Sequence, residues 1–268
     1  MDIEVKDLDY TYPAGVNALL NISLSIKSGE QVAIVGQNGS GKTTLVKHLN
    51  GLLQPTSGMV LIGEWDTRSV SVARLAQCVG YVFQNPDEQL FCSTVREEIS
   101  FGPRNFGFGA QRIENLVSDA LLLVELTDKK NVNPYDLSST WRKMVALASI
   151  ISMDTECVIL DEPTTGQDAA SIARIAHVVS ELRKRGKTVI TITHDIDFCA
   201  ENFERVIALA KGKVLLDGLA EDVLGKEEIL SLTYVDPPQL ARLGRRLGLK
   251  KTVRNQEEFL AEVKKLKE

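Results

Sequence analysis

Val32-Ala33-Ile34-Val35-Gly36-Gln37-Asn38-Gly39-Ser40-Gly41-Lys42-Thr43-Thr44 is the stretch on which the fold turns. An apolar, β-branched run enters a Gly-rich bend ending in Lys-Thr-Thr. The pattern G-x-x-x-x-G-K-[ST] therefore sits between a predicted strand and a helix predicted over residues 41–52. Gly36, Gly39 and Gly41 let the backbone curl so that successive N–H groups converge on one anion. The helix adds the positive end of its dipole at that point. Lys42 supplies a charge for the β- and γ-phosphates, the Thr43 hydroxyl is placed to ligate Mg²⁺, and Asn38, Ser40 and Thr44 complete the cradle. A Gly-rich turn alone leaves Lys-Thr-Thr unexplained, so the segment reads as a nucleotide site in an α/β protein.

Working outward, residues 3–10 and 20–26 alternate apolar and polar, as half-buried antiparallel strands do. Short strands are predicted over 59–62 and 79–83, the second leading to Gln84. Residues 87–155 turn to helical periodicity, with Ile113, Leu116, Val117, Ala120, Leu121 and Val124 on one face, and read as a helical insertion. The core resumes with Cys157-Val158-Ile159-Leu160 and with residues 189–193, separated by a helix over 172–184; both runs suit buried parallel strands. Residues 206–217 read as a hairpin turning at Lys211-Gly212. Residues 1–218 thus form one domain, and 219–268 a small helical appendage. There, Leu240, Leu243 and Leu247, and then Phe259, Val263 and Leu266, read as packing stripes, the second behind a capping box at Asn255.

Composition narrows the class. A chain of 268 residues with a formal charge of −5 lacks the basic excess of a nucleic-acid binder. The cysteines Cys78, Cys92, Cys157 and Cys199 are scattered without C-x-x-C, which indicates neither zinc nor a disulfide framework. No apolar run reaches membrane-span length and no leader pattern opens the chain, so any membrane role must come through a partner.

The strand ending in Asp161-Glu162 places two carboxylates where an open α/β sheet binds its ligands. Asp161 can hold the Mg²⁺ shell, and Glu162 can polarise a water for attack on a γ-phosphate. His194 ends the next core strand at the same edge, where a γ-phosphate contact outweighs a structural role. Gln84 could reach the metal or the attacking water. Upstream, Tyr12 could stack on a base, with Tyr10 as its rival.

This combination resembles the ATP-binding cassette ATPases over nearly the whole chain up to about residue 218. Residues 36–43 resemble the Walker A loop, Gln84 the Q-loop glutamine, and 157–162 Walker B with its catalytic glutamate. Thr165-Gly166-Gln167-Asp168 is similar to the D-loop, with Asp168 its acid, and His194 to the switch histidine. The resemblance implies a P-loop NTPase fold with a RecA-like core, an antiparallel β subdomain and a helical subdomain, with ATP and Mg²⁺ as ligands. Phe83-Gln84-Asn85-Pro86-Asp87-Glu88-Gln89-Leu90-Phe91, followed by Phe101-Gly102-Pro103-Arg104-Asn105, resembles the energy-coupling factor transporter ATPases, related to cobalt-importer cassettes. In such importers two cassettes pair beneath a transmembrane scaffold subunit and a substrate-capture subunit. That resemblance implies a peripheral protein on the cytoplasmic face, with Asn85, Pro86, Asp87, Glu88, Gln89, Leu90 and Phe91 beside the groove that receives the scaffold.

One motif departs. Where the family carries Leu-Ser-Gly-Gly-Gln, this chain has Leu137-Ser138-Ser139-Thr140-Trp141. The signature lies at a helix N-terminus and caps the phosphate held by the partner's Walker A loop. Ser138 keeps its hydroxyl, Ser139 and Thr140 replace glycines, and the bulk of Thr140 and Trp141 is expected to hold that phosphate off. The D-loop also has Gln167 where an apolar residue is usual. The expectation is a heterodimer in which this chain's own Walker groups form the competent site, with a homodimer of two weakened sites as the alternative. Rival readings are a regulatory cassette with little hydrolysis and a non-transport cassette ATPase.

Overall fold

The alternation near the N-terminus becomes a hairpin of β1 (Ile3–Thr11) and β2 (Asn17–Ile26), with Ile3 opposite Ile26 and Val5 opposite Leu24. The chain is described here by a computed structural model that covers residues 1–233 and 235–265. Beyond β2, β3 (Gln31–Val35) crosses into a second sheet, while β4 (Ser57–Ile62) and a two-residue β5 (Trp65–Asp66), not anticipated from the sequence, return to the first. That antiparallel layer runs β2-β1-β4-β5. Its period of two sends Ile3, Val5, Ile22, Ile26, Val60 and Ile62 inward.

The second sheet holds β6 (Val79–Val82), β7 (Cys157–Asp161), β8 (Thr188–Thr193), β9 (Arg205–Ala210) and β10 (Lys213–Leu219), in the order β10-β9-β3-β8-β7-β6. β3, β6, β7, β8 and β9 are parallel, and only β10 runs antiparallel. Every residue of β3, β6, β7 and β8 is buried, which is why these segments carry apolar and β-branched residues on both faces. Because these strands share one direction, Gly36, Glu162 and His194 leave them at one edge, and Gln84 follows β6 at that same edge. The β9–β10 turn carries Lys211 at φ 49° and Gly212 at φ 75°, the two positive values that a tight hairpin turn needs.

Helix α1 (Lys42–Leu49) is shorter than predicted, because Gly51, at φ 76°, closes it soon after Asn50. A short α2 (Val72–Leu75) precedes the inserted region, which comprises α3 (Val95–Asn105), α4 (Ala110–Leu123) and α5 (Ser139–Ile151). These three pack on one another around Ile99, Val117, Leu121, Val124, Met144 and Leu147, and two single turns of tighter helix join α4 to α5. α6 (Ala169–Lys184) starts ahead of the predicted residue 172, because the Asp168 carboxylate accepts from the Ser171 N–H (2.8 Å) and caps it. α7 (Ile196–Asn202) follows His194 and is capped by Asp195.

In the appendage, α8 (Ala220–Leu224) and α9 (Glu227–Leu232) contribute Val223, Leu224 and Leu230 to the main core. α10 (Gln239–Arg246) and α11 (Gln256–Lys265) pack on each other. The predicted packing stripe on α10 needs correction. Leu243 and Leu247 are 44% and 51% exposed, and the helix buries Ala241 and Gly244 instead. A Cβ on Gly244 would stand 3.0 Å from Leu249, so it is the small side that admits the following segment. On α11, Phe259 and Val263 are half-buried, and Leu266 lies outside the described residues.

Candidate nucleotide site

The phosphate loop is bent by its neighbours. Gly36 sits at φ 150°, and a Cβ there would stand 2.2 Å from the Leu209 carbonyl oxygen of β9. The Gly212 N–H donates to the Ser40 carbonyl (3.0 Å), tying the β9–β10 turn to the loop. Lys42 Nζ donates to the carbonyls of Gly36 (2.7 Å) and Gln37 (3.1 Å). Burial lowers the pKa of this ammonium, and the carboxylates of Glu162 and Asp161 oppose that shift. Of the two tyrosine candidates, Tyr12 reaches the loop, its hydroxyl 3.0 Å from the Thr44 hydroxyl. Tyr10 packs edge-on against Tyr12 and against buried His48, whose Nδ1–H donates to the Thr44 carbonyl (2.8 Å).

A cavity of about 130 Å³ opens at this point, lined by Asn38, Gly39, Gly41, Lys42, Thr43, Thr44, Gln84 and Glu162. Fold topology thus brings together residues separated by more than a hundred positions. Glu162 is buried at φ 45°, a left-handed backbone held by the bond from its N–H to the Ile192 carbonyl (2.8 Å). Its Oε2 lies 2.9 Å from His194 Nδ1, and that imidazole is otherwise 60% exposed. The neighbouring Asp161 is buried as well. Its Oδ2 accepts from the Tyr81 hydroxyl (2.5 Å), while Oδ1 is buried with no partner. Burial pushes the Asp161 carboxyl up; the Tyr81 bond opposes this, Glu162 adds to it, and the ammonium groups of Lys143 and Lys47 pull it down. The same burial pushes the Tyr81 phenol up, so it stays a donor.

These residues fit Mg²⁺. The unpartnered Asp161 oxygen at the strand edge, and the Thr43 hydroxyl and Gln84 that line the cavity beside Glu162, make an oxygen donor set of the kind this hard ion takes. Among the described residues no cluster of three or more His, Cys, Asp or Glu is placed to hold a metal ion.

Lys143 escaped the sequence reading. It is 2% exposed on α5, and its Nζ donates to the carbonyls of Phe83 (2.9 Å) and Gln84 (2.7 Å). Burial brings its pKa down to about 8. A lysine in the middle of an amphipathic helix gives no hint that it points inward. Residues 85–91 divide. Gln89 and Phe91 line an apolar groove of about 370 Å³ with Ala73, Phe101, Phe106 and Met153. Asn85 caps the turn Pro86–Glu88, Asp87 pairs with Arg142 (3.0 Å), and Leu90 is buried, its carbonyl accepting from the Tyr135 hydroxyl (2.7 Å). Glu88 makes no side-chain bond to the groove.

The altered signature does stand at a helix start, with Ser138 capping α5 and Ser138 and Ser139 exposed. Trp141 is partly buried. Its ring packs on its own chain, with Lys129 Nζ and the Arg174 guanidinium each 4.9 Å from the ring centre. Arg174 is fixed in turn by Glu125 (2.6 Å).

A cradle of backbone N–H groups, a carboxylate pair at the next strand edge and an imidazole on the second carboxylate define a P-loop nucleotide-binding cassette. The chain belongs to the ABC transporter family, whose profile matches residues 19–165. It is 42% identical over 96% of its length to a putative ABC transporter ATP-binding protein of Pyrococcus furiosus, and spans 98% of that relative. Identity is 40% over 92% of the chain to the energy-coupling factor transporter ATP-binding protein of Methanothermobacter thermautotrophicus, of which it covers 80%. A relative in Methanosarcina acetivorans is longer: the chain, 42% identical to it, spans 40% of its length. Among solved structures, cbiO1 of Clostridium perfringens, described as part of the ABC transporter complex cbiONQ, superimposes with a TM-score of 0.78. The two are 34% identical over 92% of this chain and 98% of the other. A dimeric bacterial ABC transporter cassette, MJ0796, gives 0.74 at 29% identity, over 81% of this chain and 98% of its own.

Proposed function

We propose that this chain binds and hydrolyses MgATP as the ATP-binding subunit of an energy-coupling factor type importer, peripheral to the membrane and driving uptake of a vitamin or a transition-metal ion. The observation that carries the reading is the single cavity holding Lys42, Thr43, Gln84 and Glu162, with Glu162 bonded to His194. Tyr12 offers its ring to the base. The loop N–H groups and Lys42 hold the phosphates; Thr43, Gln84 and Asp161 would hold Mg²⁺, which when bound neutralises charge developing on the phosphoryl oxygens. Glu162 orients and deprotonates a water, and His194 fixes the Glu162 carboxylate and faces the γ-phosphate. Catalysis of this kind is positioning and charge stabilisation. Among the described residues no helix is long and apolar enough to cross a membrane, so the groove beside Gln89 and Phe91 supplies the contact to a transmembrane scaffold, which in turn carries a substrate-capture subunit.

The partner cassette is best taken as a different chain. This chain's own phosphate groups are complete, whereas Ser139 and Thr140 replace the glycines that a partner's γ-phosphate needs close to it. Steady-state Mg-ATPase of the chain alone, and then with a cassette carrying Leu-Ser-Gly-Gly-Gln, tests this. Turnover only in the mixture supports the asymmetric pair. Glu162-dependent turnover by the chain alone supports a homodimer. No turnover in either, with ATP still bound, favours a regulatory cassette.

A further inference from the structure

We infer that Tyr81 is a positioning residue for Asp161, fixing which carboxylate oxygen faces the Mg²⁺ carried by the nucleotide; this rests on the reading above that Asp161 holds that ion. The register explains how the two meet. Tyr81 on β6 lies opposite Ile159 on β7, so Asp161, two residues on, shares its face of the sheet. A phenol is long enough to carry its hydroxyl that one step along the strand. The ring is 6% exposed, sits in the core between the sheet and α1, and is braced edge-on by Phe83 at 4.9 Å. Its hydroxyl donates to Oδ2 of Asp161, and Oδ1 is left buried and unpartnered.

An aspartate's terminal torsion is soft and nearly two-fold, so without a donor its oxygens are interchangeable and free to turn. Lys42, Lys143 and Lys47 are cations whose charge couples to Asp161, and a carboxylate that swings to one of them would be spent on an ion pair. A phenol holds the carboxylate plane without cancelling its charge, which a lysine or arginine in the same place would do. Partners that orient a metal ligand commonly matter about tenfold or more for metal affinity.

The test uses the full chain loaded with a non-hydrolysable ATP analogue and Mn²⁺ as the probe, read by electron paramagnetic resonance. Tyr81→Phe is expected to weaken Mn²⁺ binding roughly tenfold, while affinity for the nucleotide in EDTA stays at the wild-type value. Asp161→Asn is run beside it. If Asp161→Asn leaves Mn²⁺ affinity unchanged, the reading of Asp161 fails and the role of Tyr81 goes with it. If Asp161→Asn weakens the metal but Tyr81→Phe binds it as wild type does, only the role of Tyr81 is overturned. A Tyr81→Phe variant that loses nucleotide equally in EDTA makes the residue structural and overturns it too.

Discussion

Glu162 unites two demands that can be separated by substitution. Its backbone lies at φ 45°, a region in which a side chain costs about 1–2 kcal/mol. Its carboxylate is buried beside Asp161, whose pKa it helps to raise. Glu162→Gln keeps an oxygen for His194 and keeps the strain, but removes the base. Loss of a general base lowers turnover by about 10²–10⁴-fold, or ~2.7–5.5 kcal/mol of barrier. ATP binding survives in that variant, so it accumulates with nucleotide bound. Glu162→Gly removes the side chain and the strain together. Strain relief of ~1–2 kcal/mol is offset by about 0.5–1 kcal/mol of glycine's extra freedom when unfolded, and easing carboxylate repulsion adds to the balance. The net expectation is a fold more stable by roughly 1 kcal/mol, about 2 °C in Tm for a chain of this size, with turnover gone. Paired ATPase assays and thermal melts decide. Wild-type-like turnover in Glu162→Gln would refute the base assignment, and a Glu162→Gly variant that melts below wild type would refute strain at this carboxylate.

Three further outcomes follow from the geometry. Phe101→Asp places a charge in the apolar groove and should abolish co-purification with the membrane scaffold while leaving ATP affinity within about twofold of wild type, since the residue lies away from the phosphate cavity. Burial lowers the pKa of His48, so below its ordinary value the unfolded chain binds a proton the fold refuses. Stability is thus lost as pH falls below about 6.5, and His48→Gln should flatten that acid limb in urea titrations at pH 5–7. Trp141→Ala frees Arg174 and Lys129 from the indole and should destabilise the fold by ~1–3 kcal/mol in chemical denaturation, the sum of lost burial and cation–π contact.

The phosphate side of the site was legible because its chemistry is local or lies at strand ends. Residues 36–44 form a contiguous pattern, and Asp161, Glu162 and His194 each follow an apolar run whose ending the sequence shows. Gln84 could be placed for the same reason. What the sequence hid depends on contacts between strands and helices. Tyr81 reads as one more apolar strand residue until the β6–β7 register sets it diagonal to Asp161. Lys143 gives no signal in the sequence, yet it meets the carbonyls of Phe83 and Gln84, far away in the chain. The leucines of α10 were misjudged because apolar periodicity names a face without saying what covers it. Here Ala241 and Gly244, by being small, decided which side packs.

The departures from the family pattern lie on one edge of the molecule, and that bears on how it works. Every group that would touch this chain's own nucleotide, from Tyr12 through Lys42 to Glu162 and His194, is present and brought to one cavity or its rim. The unusual residues, Ser139, Thr140, Trp141 and Gln167, belong to the two motifs expected to face a partner. One contact runs between the two regions: Trp141 at the start of α5 stacks on Arg174 of α6, the helix that Asp168 caps. A glutamine at position 141 would present no aromatic face to Arg174, so Trp141 ties the start of α5 to α6. On the proposal that this edge carries no catalytic duty, it can be stiffened in this way without loss to the chain's own site. The stiffening follows if the second nucleotide of the dimer is held and not turned over. In a mixed dimer, Trp141→Gln should then loosen coupling between the two motifs before it restores any hydrolysis at the partner's Walker A loop.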